Sequence, residues 1–121
     1  MYFFYLIESV GGRAGFGICQ DFKERNKQYV SHSGDIVKFK YLYGGIRGHA
    51  KDLERLIKIQ YVDNLWQLED WKTEWLNDLV KMPQLQEYVD SLLKERPFLR
   101  LKLVAQDYDC TQDLEIVDKT K

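Results

Sequence analysis

Apolar positions dominate from Tyr2 to Glu8, a stretch rich in aromatic and large or β-branched side chains, and "SVGG" follows it, so the opening of the chain predicts a strand closing in a turn. Ala14 to Cys19 predicts the returning strand. It carries Gly15 and Gly17, which weaken a strand by propensity and mark places where something approaches the backbone closely. "DFKE" at 21–24 has the Asp-x-x-Glu spacing that opens a helix, because the cap and the third residue can satisfy each other's free amides; this helix is expected to run to about Tyr29. After the polar loop "SHSGD", Ile36 to Tyr43 alternates as a third strand.

From Ala50 to Tyr61 the period changes to that of a helix, with Leu53, Leu56, Ile57 and Tyr61 on one face. A further helix is expected from about Asn64, where Leu68, Trp71, Trp75 and Leu79 would form an apolar stripe widened by Leu65 and Leu76. Three tryptophans in so short a span could stack on bases, but at helical spacing they fit a packed core face better. Pro83 suits the first turn of a last helix, which Pro97 ends, and "FLRLKLV" at 98–104 alternates like a late edge strand. The order predicts an α+β domain: a small three-stranded, mainly antiparallel sheet flanked by helices, with a C-terminal helical extension. Its parts are a core over 1–65, a helical extension over 66–105 and an acidic tail over 106–121.

Composition narrows the class without changing this picture. A chain of 121 residues, 45% apolar and 31% charged, builds one hydrophobic core, and no apolar run approaches a membrane span. Cys19 and Cys110 lack any zinc-ligand spacing, so a reducing, cytoplasmic setting is the expectation. The net charge of −1 hides an asymmetry: between Arg13 and Gln60 ten lysines and arginines face five acids, whereas from Tyr61 to the end eight face thirteen. A basic N-terminal half is compatible with phosphate contacts, although solvated surface charge is the commoner explanation of such a difference.

Four blocks in order, "FFYLI" at 3–7, "GFG" at 15–17, "DFKER" at 21–25 and "AKDLERLI" at 50–57, resemble the GIY-YIG nuclease superfamily over residues 2 to 65. The resemblance implies hydrolysis of phosphodiester bonds in double-stranded DNA, assisted by one divalent metal, Mg2+ or Mn2+. It places Tyr5 as the tyrosine that assists deprotonation of the attacking water, Arg25 on the scissile phosphate, Tyr29 one helical turn on as a proton-transfer aid, and Glu54 as the metal ligand. Substrate contacts are expected at Arg13, Gly17, Lys27 and His49. The chemistry asks for these types independently. An anionic phosphodiester needs cationic stabilisation, which the planar guanidinium fork supplies, and magnesium prefers oxygen ligands and keeps several waters.

Departures from the pattern accompany the matches. Gly15 stands where the second motif has a tyrosine, Phe3 replaces the first motif's glycine, and the late asparagine has Asn64 as its nearest counterpart. A second expectation therefore stands beside the first: the same fold used as a non-catalytic module that binds DNA or a protein partner. Taken singly, Tyr5 suits a half-buried strand, Arg25 and Glu54 a solvated helix surface, and His32 and His49 loops. A nuclease this small needs two cuts to break a duplex, which makes a homodimer an expectation as well.

Overall fold

The structure is a computed structural model describing residues 1–9, 11–33, 37–66, 74–77 and 79–109. The expectations for Leu68, Trp71, Cys110 and the tail beyond 109 lie outside the described residues, as do the side chains of Tyr29 and His32.

Strand β1 (Tyr2–Ser9) lies at the centre of an antiparallel sheet, between β2 (Ala14–Cys19) and β3 (Val37–Gly45). The β1–β2 turn closes because Ser9 exchanges backbone hydrogen bonds with Arg13 and Gly12, and Gly12 takes φ +84°, a region that L side chains avoid. Helix α1 (Phe22–Ser33) follows β2 and begins as the spacing predicts: Asp21 Oδ1 accepts the Glu24 amide at 3.1 Å. It runs four residues past the expected end at Tyr29. Helix α2 (Arg47–Gln60) follows β3, and α3 (Met82–Glu95) starts with Pro83 in its first turn and stops before Pro97.

Three strands are too few. Among the described residues the sheet has six, in the order β4-β5-β2-β1-β3-β6, and the three expected ones are its middle. On one side β5 (Glu74–Leu76) pairs with β2 and β4 (Leu65–Trp66) with β5; on the other, β6 (Lys102–Asp109) pairs with β3.

The helix expected from Asn64 is not found where the chain is described. Leu65 and Trp66 face Leu76 and Trp75 in a ladder, and Leu79 is exposed. Apolar residues three and four apart suit two short strands as well as one helix. Here Trp75 and Leu76 bury on opposite faces, which is the period of a strand. The late edge strand exists, but it begins at Lys102 and continues through Gln106–Asp109, which the acidic composition assigned to the tail. Its polar residues are the kind that an outer strand tolerates, and Asp107 there pairs with Lys40 at 2.9 Å.

Alternation along β1 divides the core in two. Phe4 and Leu6 join Phe16, Tyr43, Ala50, Leu53, Ile57, Leu76 and Leu85 in a cluster beneath α2 and α3. Phe3, Tyr5 and Ile7 point the other way and join Cys19, Phe39, Leu42, Trp75 and Phe22 of α1. Thus α1 covers one face and α2 and α3 the other. No described helix is long and apolar enough to cross a membrane.

Candidate functional site

Tyr5 sits in mid-strand on the α1 face. Its register partners are Gly17 in β2 and Leu42 in β3. The ring is fully buried and meets Phe39 edge-on at 5.4 Å between centroids. Helix α1 is anchored above it by Phe22, whose ring meets Phe3 edge-on at 5.2 Å. Three residues further along α1, Arg25 reaches down: its Nη1 donates to the Tyr5 hydroxyl at 3.0 Å, with the guanidinium carbon 5.9 Å from the ring centroid. Residues twenty apart in sequence thus form one polar pair at the edge of an apolar cluster.

Cys19 adjoins this pair. Burial pushes its thiol up to about 12, opposed by the nearby Arg25 charge and reinforced by Asp21. Buried in β2, it acts as a small apolar filler rather than a nucleophile.

Gly15 stands where a side chain has no room. It pairs with Trp75, and a Cβ built on it would lie 2.8 Å from Cε3 of the Trp75 ring. The indole lies flat against the backbone where a larger residue would stand. The close approach expected at the strand glycines is thus real at Gly15. Which residue makes it could not be read from the chain, because Trp75 lies sixty positions away.

Glu54 is placed differently. Its neighbours Ala50, Leu53 and Ile57 anchor α2 in the cluster on the opposite face from Tyr5. The sheet therefore stands between Glu54 and the Tyr5–Arg25 pair. Glu54 Oε1 lies 3.7 Å from Lys58 Nζ, one helical turn on, with a fifth of its side chain exposed. A carboxylate is the right donor type for magnesium, but this one does not share a site with Arg25. No three His, Cys, Asp or Glu side chains gather for a metal among the described residues. The residues at the Tyr5–Arg25 pair do not fit a metal site that includes Glu54.

The remaining expected residues are scattered. Gly17 lies directly beside Tyr5. Lys27 is exposed on α1, and Arg13 is half-buried at the β1–β2 turn. His49, near the start of α2, accepts the Arg100 amide on Nδ1 at 3.2 Å and so ties α2 to the lead-in of β6. Tyr29 belongs to α1, one turn beyond Arg25. On the far face, the Tyr43 hydroxyl donates to Asp90 of α3 at 3.0 Å, and Gln86 bonds the other carboxylate oxygen. Burial and the Asp90 charge raise the Tyr43 phenol well above its ordinary range. That link joins sheet to helix and is structural. Compared with known proteins, the chain matches no family model, no curated protein and no solved structure.

Proposed function

We propose that this protein is an endonuclease that hydrolyses DNA phosphodiester bonds, working in a reducing, cytoplasmic setting. The observation that carries the reading is the 3.0 Å bond from Arg25 to the Tyr5 hydroxyl, which brings together the two residue types that phosphodiester hydrolysis needs first. A guanidinium has five N–H donors in a fixed fork, so one directed at Tyr5 is compatible with others directed at phosphate oxygens. Arg25 holds the scissile phosphate and offsets the charge that builds on it in the transition state. Tyr5, its ring packed against Phe39, keeps its oxygen beside that phosphate, and it is the phenolate form, with Arg25 donating to that oxygen, that takes up the proton of the attacking water and becomes the phenol. Magnesium or manganese belongs to this reading as the added cofactor, and Glu54, across the sheet, is left out of the roles assigned to the pair.

A second reading, a non-catalytic module that binds DNA or a protein partner, is favoured by the complete burial of Tyr5 and by Trp75 lying over Gly15.

Nicking of supercoiled plasmid with magnesium, manganese or EDTA separates the two. Arg25→Ala is expected to lower the nicking rate by roughly 10²-fold or more. Tyr5→Phe, which keeps the ring and removes the hydroxyl, is expected to lower it by about 10²-fold. Glu54→Ala is expected to lower it less than Arg25→Ala does. Retention of plasmid on the protein without nicking under either metal would establish the module instead.

A further inference from the structure

Two segments that carry no acid, 43–51 and 96–106, meet at one end of the sheet. Tyr2 faces Gly45, and Gly44 faces Lys102. A Cβ on Gly45 would lie 2.9 Å from the Arg100 carbonyl oxygen, and the Arg100 amide bonds His49. Arg47, at the start of α2, holds its guanidinium carbon 5.8 Å from the Tyr2 ring centroid. Lys51 follows one turn later. These contacts gather Arg47, Lys51, Arg100 and Lys102, all exposed, around one corner. Acids close by in sequence pair with other bases: Asp52 with Arg55, Glu95 with Arg96, and Asp107 with Lys40. Among the described residues no carboxylate comes within ion-pair distance of Arg47, Arg100 or Lys102. A solvated patch of like charge complements a polyanion.

Lys102 also faces the Tyr5 side of the sheet. It stands opposite Gly44, and Leu42, two residues back, stands opposite Tyr5. On ordinary sheet spacings the two α-carbons are roughly 12 Å apart, two strands across and two residues along. A duplex presents a phosphate about every 3.4 Å of axis on each strand, so one segment of backbone spans both places.

We infer that Lys102 on the Tyr5 face, Arg100, and Arg47 on the α2 face of the same end of the sheet form a docking surface for the phosphate backbone of double-stranded DNA that passes around that end. The inference rests on the nuclease reading for its choice of partner. Its test is separate from cleavage. Binding of a fluorescently labelled duplex is measured by anisotropy across a salt series, in EDTA, for the wild type, for the triple variant Arg47→Gln, Arg100→Gln, Lys102→Gln, and for a control, Lys81→Gln, Lys94→Gln, on α3. Each phosphate contact contributes about 0.9 to the slope of log K against log salt. The triple variant is expected to lose between two and three units of slope, and the control less than one. Lys102→Gln alone, at an exposed position, is expected to lose about one unit, and circular dichroism confirms that each variant is folded. A slope that changes no more in the triple variant than in the control, or a wild type that does not bind the duplex, overturns the inference. Plasmid nicking by the same samples reports on the enzyme reading independently: slope loss without any nicking leaves the docking surface standing and removes hydrolysis.

Discussion

Gly15 and Trp75 show how one residue's identity depends on a distant one. The indole occupies the space a Cβ at position 15 would need, 2.8 Å from its nearest ring carbon, so Gly15→Ala forces the ring or the strand to move. Overpacking of this kind costs roughly 1–3 kcal/mol. Urea denaturation is expected to show such a loss for Gly15→Ala, and a much smaller one in a Trp75→Leu background, where the flat ring is gone. Equal losses in both backgrounds would mean that the strand suffers from the substitution for another reason. Tyr5 and Arg25 were legible from the chain as types in a pattern. That they touch was not, because the pairing depends on Phe22 seating α1 on Phe3.

At the scale of elements, short strands are the weak point of a reading based on spacing. Strand β5 has three residues, and it holds its place because Trp75 and Leu76 bury on opposite faces. Leu76 is completely buried beside Phe16 and Leu53 in the cluster under α2. Leu76→Ala should therefore cost about 2–5 kcal/mol, the range for a buried leucine, and should speed amide exchange in β5 before it does so in β1. Surface pairs carry far less. Lys40→Ala breaks the bond to Asp107 on an outer strand, and its effect on the urea midpoint should correspond to less than about 1 kcal/mol. Helix α2 was readable because its period repeats over three turns, α3 because prolines mark both ends, and β1 and β2 because apolar runs lie on either side of a glycine turn. The stretch from Asn64 to Leu76 was not, since a few tryptophans and leucines satisfy both periods until a sheet edge is there to receive them.

At the scale of the molecule, two buried acids link stability to pH. Burial raises Cys19 from 9.0 to about 12 and raises Tyr43 above its ordinary 10, so the folded state holds both protons more tightly than the unfolded chain does. Their contribution is complete below pH 9 and is lost as pH rises, first through the Cys19 interval from about 9 to 12 and then above 10 for Tyr43. Urea midpoints should accordingly be flat from pH 7 to 8.5 and fall from pH 9 to 11. Cys19→Ala should flatten the first part of that fall. A midpoint that falls as steeply in Cys19→Ala as in the wild type would assign the loss to other groups.

The sequence by itself determined the α+β class, the central β1–β2 hairpin, the capped start of α1, the two later helices and the residue types that suit a phosphate. Those are local properties: period, turn chemistry, caps and prolines. Only the tertiary structure decided that six strands share one sheet, that Arg25 meets Tyr5, that Glu54 stands across the sheet from them, and that Trp75 fills the space beside Gly15. Each of these depends on which face a side chain takes once strands pair. A shift of one residue reverses every such choice, and no window of sequence contains both partners.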